Sequence, residues 1–170
     1  MAATAQQVPA SMLVDELRRC GVRFVVSVPD THQKTLLAAL EQTDEIRTIT
    51  CCTEDEAVTV AAGMWIGGAS CAVMIQHAGL YACVNHLRGV GLDMHVPLLL
   101  MIGLLGRDPV KPPRDNAGSM VRLAEPLLDT LGIPHYLMDG PDDVHLLQKA
   151  QQESRDREMP VAVLIGAPTA

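Results

Sequence analysis

The sequence predicts an α/β fold: a single domain built on a six-stranded parallel sheet with helices on both faces. Short β-branched and aliphatic runs alternate along the chain with segments of helical pattern, as in strands joined by crossover helices. Apolar residues make up 48% of the chain, yet they include one Trp, two Tyr and one Phe. Aliphatic side chains must therefore fill the interior, as they do in parallel strands buried on both faces. A length of 170 residues suits one such domain. Its core is expected over about residues 11–166.

The elements follow in order. Ser11 is placed to cap a helix running to about Cys20, with Met12, Leu13 and Leu17 on one face and Gly21 ending it. Arg23 to Val28 reads as the first strand. Pro29-Asp30-Thr31 breaks that strand and can cap a helix from about His32 to Gln42. Ile46 to Cys51 is a second strand. Thr53 can cap the next helix, which carries Glu54, Asp55 and Glu56 in its first turn and runs to about Ile66, before Gly67-Gly68. Cys71 to Gln76 is a third strand, followed by a helix from about Leu80 to Val90. Pro97 to Gly103 is a fourth strand. Leu104 to Gly118, rich in Gly, Pro and Asp, is a long loop of a length that often carries function. Ser119 to Leu131 is helical, His135 to Met138 a short strand, Pro141 to about Arg157 helical, and Val161 to Ile165 the last strand.

Bulk properties exclude several classes. A net charge of −7 without a basic stripe argues against nucleic acid. The N-terminal residues lack the charged and apolar regions of a signal peptide. The most apolar segment, Val96 to Leu105, is too short to span a bilayer. The expected location is the cytoplasm. Cys20, Cys51, Cys52, Cys71 and Cys83 show no zinc-ligand spacing and read as reduced core thiols. No G-x-G-x-x-G, Walker-type loop, G-x-S-x-G elbow or H-E-x-x-H is present, so no metal ligand is assigned.

Parallel sheets place ligands beyond the carboxyl ends of their strands. The polar segments leaving that edge are Pro29 to Lys34, Thr53 to Glu56, Gln76 to Gly79 and Leu104 to Asp108. Among them T-E-D-E-A-V-T-V-A-A-G, Thr53 to Gly63, stands out. Acidic residues in a first helical turn are ordinary, because they complement the helix dipole. The small residues Ala57, Ala61, Ala62 and Gly63 also allow close packing of that helix.

This segment resembles the pyrimidine-binding domain of thiamine-diphosphate enzymes, in which a Glu at the end of the second strand precedes an Ala-rich helix and a Gly nine residues on. Glu54 and Gly63 have that spacing; Glu56 does not. The flanks are similar to sulfopyruvate and phosphonopyruvate decarboxylases: G-V-R-F-V-V-S-V-P-D-T (Gly21 to Thr31), I-Q-H-A-G-L-Y-A-C-V-N-H-L (Ile75 to Leu87), V-P-L-L-L-M-I-G-L-L-G-R (Val96 to Arg107) and L-L-D-T-L-G-I-P (Leu127 to Pro134). The resemblance covers nearly the whole chain. It departs from the family where His77, Ala78 and Tyr81 stand in place of Asn, Ser and Gly, which bears on the substrate more than on the cofactor.

The resemblance implies a subunit of a thiamine-diphosphate-dependent 2-oxoacid decarboxylase acting on sulfopyruvate, phosphonopyruvate or a related anionic 2-oxoacid. It implies that Glu54 bonds a ring nitrogen of the cofactor's aminopyrimidine and controls its protonation. Gln76, Gly79 and Leu104 would line the cofactor. Asp30, Thr31 and His32 would face substrate; their plainer reading is a turn and a helix cap. His77 is a candidate proton donor, although a lone His is more often a structural hydrogen-bonder. The family's G-D-G motif for Mg2+ and diphosphate is absent here, and Met138-Asp139-Gly140 reads as a turn. A β subunit carrying that domain is therefore the expected partner, in a hetero-oligomer. The alternatives are a non-catalytic α/β binding subunit that retains the fold, and a thiamine-dependent carboligase subunit.

Overall fold

Residues 6–170 are described by the computed structural model; residues 1–5, on which part of the signal-peptide reading falls, lie outside the described residues. Strand β1 (Phe24–Ser27) lies between β2 (Arg47–Thr50) and β3 (Cys71–Gln76). Beyond β3 comes β4 (Leu99–Gly103), then β6 (Val161–Ile165) and β5 (His135–Met138) at the far edge. Every neighbouring pair is parallel, so the predicted six-stranded parallel sheet is present. The strand order reverses at β1 and β3. Open α/β sheets form their ligand crevice at such a reversal, outside the carboxyl ends of the strands.

Successive strand residues point to opposite faces, and both faces are covered. Val25, Met74, Met101 and Val163 pack with Leu13 and Leu17 of α1 (Ala10–Arg19), Leu36 and Leu40 of α2 (Lys34–Leu40), and Leu147 of α8 (Leu146–Arg157). Val26, Val73, Ile75, Leu100, Ile102 and Leu164 face the other layer. There they meet Ala57, Val58 and Ala61 of α3 (Glu54–Ile66), Leu80 of α4 (His77–Ala82) and Leu128 of α7 (Ala124–Leu131). Every residue of β4 and β6 is buried. This explains their unbroken aliphatic sequence.

Several helix ends differ from expectation. Helix α1 starts at Ala10 behind Pro9, with no side-chain cap, so Ser11 lies inside the helix. The backbone entry is held instead by Val8, which bridges to Thr169. Met12 is 40% exposed while Leu13, Val14 and Leu17 are buried, because a step of one residue turns about 100° around the helix. Gly21 ends this helix with φ +71°, as expected. Helix α2 starts at Lys34 rather than His32, since the Asp30 carboxylate accepts from the His32 backbone N–H and holds the preceding residues in a turn. In α3 the expectation holds: the Thr53 hydroxyl accepts from the Glu56 N–H, and Gly67 caps the end.

The helix after β3 begins at His77, breaks at Cys83, resumes as the single turn α5 (Val84–His86) and continues as a π-helical segment over Leu87–Asp93. It therefore starts earlier and ends later than predicted. The segment Leu104 to Gly118 is irregular, apart from one 3-10 turn at Pro113–Asp115. The helix expected over Ser119 to Leu131 breaks at Leu123 into α6 (Ser119–Arg122) and α7. The one expected from Pro141 opens as a separate 3-10 turn, Pro141–Asp143, before α8. All five cysteines are free, but Cys52 is exposed rather than part of the core.

Helix α1 provides a direct test of these burial assignments. Leu17→Ala is expected to cost about 2–5 kcal/mol of stability in urea unfolding, as for a leucine in a closed core. Met12→Ala is expected to stay within about 0.5 kcal/mol. Equal losses would mean that the helix presents a different face to the sheet.

Candidate active site

Three strand ends meet around Asp30. Its side chain is 3% exposed. Oδ1 accepts from the backbone N–H of His32 at 2.8 Å and from Gln76 Nε2 at 2.9 Å, while Oδ2 accepts from Gln33 Nε2 at 3.0 Å. Gln33, itself fully buried, also donates to the carbonyl of Ile75 at 3.2 Å. The turn after β1 is thereby tied to the end of β3. At the end of β4, Gly103 makes room for the carboxylate, since a Cβ there would stand 2.1 Å from Oδ2.

The acidic turn that opens α3 divides its work. Glu56 supports the helix start: its Oε2 accepts from the Cys52 N–H at 2.7 Å, while its own N–H donates to Thr53. That is close to a capping box. Asp55 lies 4.0 Å from His86 Nε2. Glu54 has no hydrogen bond or ion pair among the described residues. Its half-buried carboxylate lies against Gly79 of α4, where a Cβ would come within 2.1 Å of Cγ and 2.5 Å of Oε1. The dipole and cap thus account for Glu56, and they leave the Glu54 carboxylate free for a ligand.

His77, the first residue of α4, is 3% exposed. Its Nε2 lies 3.0 Å from the carbonyl of Leu105. A carbonyl can only accept, so Nε2 carries the proton and Nδ1 is a bare, buried acceptor with no partner. Burial lowers the pKa of this ring, and the bond to Leu105 opposes that shift. His32 is half-buried with Nε2 unpartnered. Burial lowers its pKa as well, against the pull of Asp30 and of the Ile165 and Ala167 backbone groups beside the ring. Both rings are neutral near pH 7. Thr31 is exposed, and Gln76 is half-buried at the end of β3. Leu104 has no exposed surface; it sits in the core and its N–H donates to Ile165.

The turns singled out from sequence are therefore brought together. Asp30 meets Gln76, Glu54 meets Gly79, and His77 meets Leu105. Sequence reasoning missed Gln33, Gly103 and the turn after β6. Gly103 carried a signal, because a glycine closing an aliphatic strand marks a close approach. Gln33 carried none.

The arrangement is an unpaired carboxylate beside a glycine, at the reversal of a parallel sheet. Residues 9–112 match the family model described as "Thiamine pyrophosphate enzyme, N-terminal TPP binding domain". The chain belongs to the thiamine pyrophosphate enzymes. It is 31% identical to the sulfopyruvate decarboxylase subunit alpha of Methanococcus maripaludis, over 86% of this chain and 87% of that protein. The subunit of that name from Methanocaldococcus jannaschii is 28% identical, with 91% of each chain covered. Phosphonopyruvate decarboxylase of Streptomyces viridochromogenes is 29% identical over 92% of this chain, but over 40% of its own length. The thiamine pyrophosphate enzyme described here thus sits among the family's decarboxylases.

Among its described residues, no group of three or more His, Cys, Asp or Glu side chains is arranged to hold a metal ion, and no helix is long and apolar enough to cross a membrane.

The two buried histidines set a pH dependence. Each has a folded pKa below the ordinary 6.5, so the unfolded chain binds more protons as pH falls through that value. Stability should be fully present above about pH 7 and decline toward pH 5, with a slope of at most about 1.4 kcal/mol per pH unit for each histidine. Urea unfolding at a series of pH values measures this. His77→Gln should flatten the slope; an unchanged slope would show that His77 titrates normally.

Proposed function

We propose that this chain is the pyrimidine-binding subunit of a thiamine-diphosphate-dependent decarboxylase acting on sulfopyruvate, phosphonopyruvate or a related anionic 2-oxoacid. A β subunit would carry the diphosphate and its Mg2+. The observation that carries the reading is Glu54: a half-buried carboxylate that the fold does not bond, seated in the side-chain space that Gly79 leaves open. This fits an aminopyrimidine with a ring nitrogen facing the acid. Glu54, Gly79 and Gln76 would hold that ring, and Leu104 would support the site from within the core. When bound, thiamine diphosphate supplies a thiazolium that accepts the electron pair released with carbon dioxide.

The remaining roles belong to this chain's own side chains. Glu54 holds or releases a proton at the ring nitrogen it faces. His77 has Nε2 committed to Leu105, so Nδ1 is the atom at which it would take up a proton and return it to the product. Thr31 and His32 face the substrate from the turn that Asp30 braces.

The partner is supported by length. Two relatives named as alpha subunits are covered almost end to end, whereas the longer phosphonopyruvate decarboxylase leaves more than half its chain unmatched. That remainder is room for a diphosphate-binding domain, which this chain would obtain from its partner in a hetero-oligomer. Five free thiols accord with a cytoplasmic enzyme.

Two measurements follow. In the assembled enzyme, Glu54→Gln should lower decarboxylation by a factor on the order of a hundred or more, as for loss of a positioned acid-base group. Glu56→Gln should leave turnover near normal. Similar turnover by wild type and Glu54→Gln would remove Glu54 from the mechanism. Calorimetry on this chain alone should show weak binding of thiamine diphosphate with or without Mg2+, and tight Mg2+-dependent binding would overturn the division between two chains.

A further inference from the structure

At the carboxyl edge of the sheet, a cleft of about 430 Å³ opens between the turns that follow β1, β4 and β6. Thr31, His32, Lys34, Gly106, Arg107 and Gly166 contribute to its wall. None of the residues lining it is Asp or Glu, in a chain whose net charge is −7. The acids adjoining these residues are engaged: Asp108, between Arg107 and Pro109, accepts from the Val110 N–H and pairs with Lys111. Asp30 is bonded to His32, Gln33 and Gln76, and Asp139 holds both terminal nitrogens of the Arg107 guanidinium.

Two polar nitrogens in this wall are left over. The Arg107 side chain is 3% exposed, and its Nε has no hydrogen-bond partner. His32 Nε2 is likewise buried without one. A buried polar nitrogen without a partner is costly, and two on the wall of one cleft point to a hydrogen-bonding ligand, one that accepts from the Arg107 Nε–H. The ammonium of Lys34 is exposed and makes no ion pair among the described residues. It adds a positive charge that the fold does not neutralise. Its alternative is a solvated surface lysine, but its place in this wall gives it a second use.

The cleft shares two stretches of chain with the candidate active site. His32 is two residues from Asp30, whose carboxylate accepts from its backbone N–H. Gly106 and Arg107 follow Leu105, whose carbonyl binds His77. These two turns link the wall of the cleft to the groups around Asp30 and His77.

We infer that this cleft receives a tetrahedral oxyanion carried on C3 of the 2-oxoacid, and that Lys34 and Arg107 select for it. This rests on the decarboxylase reading above. Lys34 supplies net charge. Arg107, oriented by Asp139, presents Nε–H, and His32 is a neutral hydrogen-bonding group that needs no counter-charge. A sulfonate and a phosphonate share the acceptor geometry that such a wall recognises.

The test uses unreactive analogues, so that binding is read apart from turnover. Affinities of 3-sulfopropionate, 3-phosphonopropionate and propionate for this chain in complex with its partner are measured by calorimetry, with the His32 ring followed by NMR. Both substituted acids should bind at least tenfold more tightly than propionate and shift the His32 resonances. Lys34→Gln and the charge-keeping Arg107→Lys should each reduce that ratio severalfold, the latter because it loses the Nε–H. Equal affinities for all three acids, or a ratio unchanged in both variants, would overturn the inference. If the complex shows the binding ratio but decarboxylates no 2-oxoacid, the cleft stands and the decarboxylase reading fails. If it decarboxylates pyruvate while the ratio is absent, the reverse holds.

Discussion

Six strands running in one direction deliver six carboxyl ends to a single edge, and helical layers cover both faces of the sheet. The groups of the candidate site gather at that edge. Strands β4 and β6 have no exposed residue along their length, so their connections must supply whatever polar groups the molecule uses there. The reversal of strand order between β1 and β3 leaves a crevice, and the Asp30–Gln76 hydrogen bond spans it. Burying a carboxylate is expensive unless it is fully bonded. Asp30 meets that condition by drawing on two side-chain amides and a backbone N–H. The brace in turn places Thr31 and His32 on one side of the crevice and His77 on the other.

Around the brace, the acids and histidines divide into those the fold consumes and those it leaves over. Glu56 is spent on the start of α3 and Asp30 on the strand ends, whereas Glu54 is not used. His77 anchors the turn after β4 through one nitrogen and keeps the other bare. Unsatisfied polar groups cost about 1–3 kcal/mol each when buried. Among the described residues, those at Ser27, His32, Gln33, His77 and Arg107 gather at the carboxyl edge, as at sites that relax local rules for function, while Thr48 and His86 lie apart from it. Glycines complete the arrangement by absence: Gly79 yields its side-chain volume to Glu54, and Gly103 to Asp30.

The departures from the family pattern also have a structural reading. Tyr81, where a glycine is usual, donates its hydroxyl to the carbonyl of Met120 at 2.5 Å. It thereby joins α4 to the start of α6, at the far end of the long connection from β4. His77, in place of an asparagine, reaches the near end of the same connection at Leu105. Both replacements thus fasten one segment, the loop whose first residues form the wall of the cationic cleft.

Sequence by itself determined the elements whose information is local. Apolar and β-branched runs marked all six strands to within a residue at their carboxyl ends, and Thr53 with Gly67 marked both ends of α3, because a hydroxyl cap and a glycine stop act over three or four residues. The resemblance carried by Thr53 to Gly63 and its flanks identified the family for the same reason. Tertiary structure decided what depends on neighbours distant in the chain. Helix α1 begins where the Val8–Thr169 bridge lets it, and α2 begins after the Asp30 turn rather than at a cap. Which of three consecutive acids is free was settled by Cys52 and Gly79, and the use of Asp30 by Gln76 and Gln33. The wall of the cleft joins residues near 32, 107 and 166, which no periodicity relates. Long-range register brings them together, and register is a property of the whole sheet.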